Sequence, residues 1–294
     1  MKPDDGNKRM SLSEARSWCR AFAYSHYENF SIASKFLPQA KRDEYFALYA
    51  FARGLDDVAD DENVLAARRL ESLNEWEVML RRTFDGNPPS SPVFIALQPL
   101  IIRYEMSIDL FLPMIDAFRM DQTTSRYKNW NEVLGYTKGS ANPVGKWVLR
   151  IHGYNDPELD QLSDSVCTGL QLVNFIQDIF SDYMERDRIY LPQDEMLKYE
   201  VSEKVLGEVP TRSQLRNLLA FQANRAESLL HAGYELIQRV KPPLKKQLIL
   251  FHGGGRVALE QLIKKEFDVN SQHIKVTKIQ KLALIMRSLR GIPV

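Results

Sequence analysis

The stretch Arg53-Gly54-Leu55-Asp56-Asp57-Val58-Ala59-Asp60-Asp61 closes an apolar-periodic run, Tyr45-Phe46-Ala47-Leu48-Tyr49-Ala50-Phe51-Ala52. The periodicity predicts a helix from about residue 40 to about residue 61. A helix turns about 100° per residue, so Asp56, Asp57 and Asp60 share an arc of about 100°. Arg53 lies three, four and seven residues before them on the same face. Carboxylates at this spacing repel one another. They also sit at the helix C-terminus, where the backbone dipole is already negative. A purely structural helix would carry Lys or Arg there, so the stripe predicts a cation that meets it.

Further helices follow from the same periodicity. They are predicted near residues 11–24, 64–84, 92–105, 109–122, 130–136, 144–151, 156–184, 213–240, 244–265 and 274–290. A short apolar turn is expected at 31–37, and loops at 85–92 and 185–210. The run Gly139-Ser140-Ala141-Asn142-Pro143 interrupts helical sequence and permits close backbone approach. No segment shows sustained strand alternation, and no internal repeat is visible. The expected architecture is all-α: a disordered tail at 1–10, then one helical bundle domain over 11–294.

The 294 residues are 44% hydrophobic and 26% charged with a net charge of +1, which gives no reason to expect a nucleic-acid partner. No stretch approaches the roughly 20 apolar residues of a membrane-spanning helix. The polar N-terminus has no apolar core of a secretory signal. Cys19 and Cys167 lack metal spacing and read as buried reduced thiols. A cytoplasmic location is expected, with peripheral membrane approach if the substrate is a lipid.

A second acidic line lies in the predicted helix at 156–184. Gln171, Asn174, Asp178 and Asp182 are spaced three, four and four residues apart. Leu170, Leu172, Val173, Phe175, Ile176, Ile179 and Phe180 surround them, so this helix is expected to be buried nearly all round. Its carboxylates then need partners, because an unpaired buried charge is costly. If the two acidic helices face each other across a bundle, Asp56, Asp57, Asp60, Asp178 and Asp182 form an all-oxygen cluster. Such ligands select Mg²⁺, Mn²⁺ or Ca²⁺ over zinc. Mg²⁺ keeps several waters and is usually shared with substrate phosphates, which implies a diphosphate. An apolar helical cavity around a diphosphate suits ionisation to a carbocation. No GxSxG, Walker A or GxGxxG motif offers other chemistry.

These motifs, followed by Arg188-Ile189-Tyr190-Leu191-Pro192, resemble the squalene/phytoene synthase family over roughly residues 15–290. The resemblance implies the isoprenoid synthase fold with a central cavity, and Mg²⁺ and diphosphate binding at both acidic motifs. It implies that Gln171 and Asn174 line the same site and that Arg53 is a basic residue near the diphosphate. His26 and Tyr136 match the family's N-terminal histidine and active-site tyrosine. Within the family, His26-Tyr27-Glu28-Asn29-Phe30, Asn142-Pro143-Val144-Gly145 and Asn174-Phe175-Ile176-Gln177-Asp178 are most similar to the hydroxysqualene synthase branch of hopanoid biosynthesis. Many condensing members have Ser-x-x-Phe after the histidine and Arg before the second-motif Asp. Here those places hold Glu28-Asn29-Phe30 and Gln177. The branch implies that presqualene diphosphate and water give hydroxysqualene and diphosphate, with Mg²⁺ or Mn²⁺ and without NADPH.

The ordinary reading of an acidic helix end is a solvated face, and either stripe alone would be read so. Their joint spacing favours function. Asp61 and Glu62 point off the stripe. The expected set is His26, Tyr136 and Glu28 as catalytic groups, Glu28 positioning water, although an exposed carboxylate is the plainer reading of it. Arg53, Gln171, Asn174 and Arg188 hold diphosphate, while Arg188 has an ion pair with a carboxylate as its plainer reading. Tyr45, Tyr49, Phe22, Phe46 and Phe51 read as core. Two other functions stay open: head-to-head condensation of prenyl diphosphates, and a non-catalytic assembly factor of the same fold. Expected partners are presqualene diphosphate or another prenyl diphosphate, other squalene-pathway enzymes for handover, and the membrane surface. The basic amphipathic segment at 274–290 fits membrane contact, though a terminal bundle helix is its commoner role.

Overall fold

The computed structural model describes residues 10–26, 37–271 and 277–293. The expected tail at 1–10, apart from Met10, and the expected turn at 31–37, apart from Leu37, lie outside them, as does Glu28. The chain is all-α in architecture, as its periodicity predicts. Its helices group into two compact units, Met1–Gln122 and Thr123–Val294.

In the N-terminal unit, α1 is Leu12–His26, α2 Arg42–Ala59, α3 Ala66–Phe84, α4 Pro92–Arg103 and α5 Leu112–Met120. A reciprocal box starts α1: the Glu14 N–H donates to Ser11 Oγ (3.2 Å), and the Ser11 N–H donates to Glu14 Oε2 (2.8 Å). Helix α2 is the hub, packed by α1, α4 and α3. Its Phe46, Ala47, Ala50, Phe51 and Leu55 are buried. Phe51 meets Phe94 of α4 and Phe111 edge-on, with centroids 6.2 and 5.4 Å away. Burying one such ring contributes roughly 1.5–3 kcal/mol. Glu44 is buried on the same helix but is not left alone, since Tyr104 Oη donates to it at 2.7 Å and Arg103 Nη1 at 3.1 Å.

In the C-terminal unit, α6 is Trp130–Ser140, α7 Asn142–Ile151, α8 Pro157–Arg186, α9 Gln193–Lys198, α10 Glu203–Leu206, α11 Ser213–Arg239, α12 Leu244–Lys264 and α13 Lys278–Arg290. Side chains of Asn129 and Asp156 cap α6 and α8. The long pair α8 and α11 forms the centre, with α12 and α7 against it. Glycines set how closely they approach. A Cβ on Gly233 of α11 would fall 2.3 Å from Val166 Cγ2 and 3.1 Å from the Leu162 carbonyl oxygen of α8. A Cβ on Gly255 of α12 would fall 2.5 Å from Leu170.

Two features depart from the sequence reading. Arg126–Tyr127 (β1) and Ile189–Pro192 (β2) pair as short parallel strands. The expected loop at 185–210 also contains β2, α9 and α10. A four-residue strand and helices of four and six residues are too short for either periodicity to register. No described helix is long and apolar enough to cross a membrane.

Candidate active site

The first acidic stripe is held by one guanidinium. Arg53 Nη1 lies 2.6 Å from Asp56 Oδ2, and Nη2 lies 2.8 Å from Asp57 Oδ1. The three side chains are 38%, 32% and 34% exposed. Helical pairs this open contribute about 0.3–0.5 kcal/mol each, too little to explain the stripe as a stabilising device. Arg53 Nε is buried and finds no acceptor among the described residues. Beneath the stripe, a Cβ on Gly54 would sit 2.6 Å from the Trp76 ring, so glycine lets α3 close up against α2 here.

His26 joins this group from the last turn of α1. Its Nε2 lies 3.2 Å from Asp57 Oδ2, and its Nδ1 lies 3.0 Å from the Phe22 carbonyl oxygen. Ser25 Oγ lies 3.1 Å from the same Nδ1.

Asp60 is not on the helix, contrary to the sequence reading. Helix α2 ends at Ala59 and Asp60 is its C-cap, with φ −105° and its N–H donating to the Asp56 carbonyl. Asp61 turns to the loop and accepts from the Asn63 N–H at 3.0 Å, off the stripe as expected.

The second acidic line runs along α8. Leu172, Val173, Phe175, Ile176 and Ile179 are buried, whereas Asn174 and Asp178 are exposed and Gln171, Gln177 and Asp182 half-buried. The line is therefore open, not sealed within the helix packing as its apolar neighbours suggest. The buried arc of α8 stops short of the polar line, so its carboxylates keep access to water. Helix α8 ends in a left-handed residue, Asp187 at φ 50°. The Asp187 and Arg188 N–H groups both donate to the Asp182 carbonyl. That turn brings the Arg188 backbone back onto the last carboxylate residue of the line and starts β2.

An aromatic cluster adjoins the line, and the sequence reading gave a catalytic role only to Tyr136 in it. The Tyr190 ring of β2 stacks on Phe175 of α8 at 4.1 Å and 7°. It also lies 5.2 Å from Tyr136 and 5.8 Å from Tyr127. Tyr136 is buried on α6. Tyr190 was visible in the Arg188-Ile189-Tyr190 run, but nothing local says that three elements converge on it. The Gly139–Pro143 break has a packing role. Helix α7 restarts at Asn142, whose Oδ1 accepts from Thr168 Oγ1 at 3.0 Å, and a Cβ on Gly145 would collide with Ser163 Oγ at 2.2 Å. The close approach expected at this break is to α8.

Cys19 and Cys167 are free, with thiols pushed by burial up to about 12 and about 11. Neither is a nucleophile at neutral pH. Among the described residues, no three His, Cys, Asp or Glu side chains gather into a group that could hold a metal alone. Mg²⁺ does not require one, because it is commonly held by one or two carboxylates plus waters and substrate phosphates. The open, oxygen-only donors of both lines fit that mode of binding.

The sequence profile of the squalene/phytoene synthase family matches residues 24–280. A hydroxysqualene synthase from Rhodopseudomonas palustris is 35% identical over 73% of this chain and 72% of its own length. One from Sinorhizobium fredii is 33% identical over 76% and 74%. A phytoene synthase from Arthrospira platensis is 29% identical over 92% and 91%. Among solved structures, squalene synthase HpnC from Alicyclobacillus acidocaldarius superposes with a TM-score of 0.82 at 35% identity, covering 87% of this chain and 96% of that one.

Proposed function

The chain belongs to the squalene/phytoene synthase family, and from that premise we propose that it converts presqualene diphosphate and water to hydroxysqualene and diphosphate. The observation that carries the reading is Arg53. It grips Asp56 and Asp57 on a half-exposed stripe while its Nε is buried without an acceptor among the described residues. A diphosphate oxygen is an acceptor of the right charge for that donor. The likeness to hydroxysqualene synthases supports the choice of substrate.

Asp56, Asp57 and Asp60 in one unit, and Asp178 and Asp182 in the other, are the groups we assign to metal. Held there, Mg²⁺, with Mn²⁺ as substitute, would neutralise negative charge on a departing diphosphate. Arg53 in the first unit, and Gln171, Asn174 and Arg188 in the second, are the groups we assign to diphosphate binding. The reaction breaks the C–O bond to the diphosphate, and the bonding electrons leave with it. The cyclopropylcarbinyl cation rearranges, water adds to carbon, and a proton is lost to give the alcohol. No electrons are gained overall, so no NADPH is needed. His26 orients Asp57. Tyr136 is the hydroxyl-bearing member of the cluster assigned a catalytic role, and its neighbours fix the ring. Aromatic faces so placed can stabilise cationic carbon. Glu28, outside the described residues, is the assigned water-positioning group.

The test is incubation of the purified protein with presqualene diphosphate and Mg²⁺ in the absence of NADPH. Release of hydroxysqualene is expected, and its absence would overturn the assignment. The phytoene synthase likeness supports a second reading, head-to-head condensation. Consumption of farnesyl diphosphate alone would establish it.

A further inference from the structure

Helix α13 packs one face onto the C-terminal unit and leaves the other uncovered. Leu284 and Ser288 are buried, and Ser288 Oγ donates to the Lys246 carbonyl at 2.7 Å. On the open side, Leu282, Met286 and Leu289 are 60%, 44% and 52% exposed, and Ile292 beyond them is 48% exposed. Positions i, i+4 and i+7 fall within about 60° of arc, so the three form a ridge along the helix. Contiguous exposed apolar side chains mark a surface that meets another phase or molecule.

The charge around the ridge indicates which. From Thr277 to Pro293 the sequence has four cations and no Asp or Glu, although the chain as a whole carries only +1. Arg287 and Arg290 are exposed on the same helix, Arg290 four residues after Met286 beside the ridge, while Arg287 Nη2 donates to the Pro293 carbonyl. The Ser288 contact adds exposed Lys246 at the start of α12, in the basic run Lys241-Pro242-Pro243-Leu244-Lys245-Lys246. An exposed apolar ridge on a segment that carries cations and no acid has the polarity of an anionic bilayer interface: acyl chains for the leucines, headgroup phosphates for the arginines. We propose that α13 seats this protein on anionic lipid through Leu282, Met286, Leu289 and Ile292. The seat does not depend on the proposed reaction, although it would place the enzyme where long isoprenoid diphosphates partition.

The test is co-sedimentation of the full chain with vesicles, without substrate or Mg²⁺, so that its outcome is independent of catalysis. Wild type is expected to bind vesicles containing phosphatidylglycerol, to bind pure phosphatidylcholine less, and to be released by salt. Leu282→Ser with Leu289→Ser is expected to lower binding at least about tenfold, with an unchanged melting temperature because both side chains are exposed. Arg287→Gln with Arg290→Gln should lower it selectively on anionic vesicles. Failure of wild type to bind, or equal binding by the leucine variant, overturns the proposal. So does light scattering that shows a wild-type dimer dispersed by the leucine change, which would make a second copy the occupant.

Discussion

Arg53 concentrates the question of function in one side chain. It faces more negative charge than it neutralises, and its exposed ion pairs return too little energy to account for the arrangement. Replacing Arg53 with Gln should leave helix content and melting temperature nearly unchanged. It should reduce turnover by about 10²–10³, the usual cost of deleting one donor to a developing anion. Steady-state kinetics and calorimetry of diphosphate binding check this together: both should weaken, whereas a merely structural arginine would change the melting temperature and not diphosphate affinity. His26 was legible only through family resemblance. Its contact with Asp57 joins the end of α1 to α2, a meeting of residues far apart in the chain that no local pattern encodes.

At the scale of elements, glycine decides whether helices meet closely. Two glycines of the C-terminal unit should therefore respond in opposite directions to the same change. Gly135 of α6 has nothing within 4 Å of its absent Cβ, so Gly135→Ala should gain about 0.5–1 kcal/mol of helix preference. Gly233 of α11 would place its Cβ 3.1 Å from backbone atoms of α8 as well as 2.3 Å from Val166. A backbone cannot swing aside as a long side chain can. Gly233→Ala should lose about 1–3 kcal/mol by overpacking, which outweighs the helical gain. Urea midpoints of the two variants measure both signs. The sequence marks each of these glycines identically, as a weak point in a helix, because crowding depends on a second helix.

For the whole molecule, acid sensitivity should follow His252. It is buried on α12, its Nε2 lies 2.9 Å from the Leu230 carbonyl, and its Nδ1 has no partner among the described residues. Burial holds its pKa below the ordinary histidine value, and nearby Arg256 and His231 add to the depression. The unfolded chain therefore binds more protons than the folded one below about pH 6.5. This residue's contribution to stability is complete above that pH and is lost as pH falls toward the lower folded pKa. Denaturant titrations from pH 7.5 to 5.5 should show the decline in wild type and a shallower one in His252→Gln. What the sequence determined by itself was the set of long helices and the two lines of oxygen donors, because period and charge spacing are local. The tertiary structure alone decided that Tyr127, Tyr136, Phe175 and Tyr190 share one cluster, that Arg126–Tyr127 pairs with Ile189–Pro192, and that the second acidic line is open to water. Each of these is a meeting of residues far apart in the chain or the outcome of which face is covered, and neither is written in the spacing of any one segment.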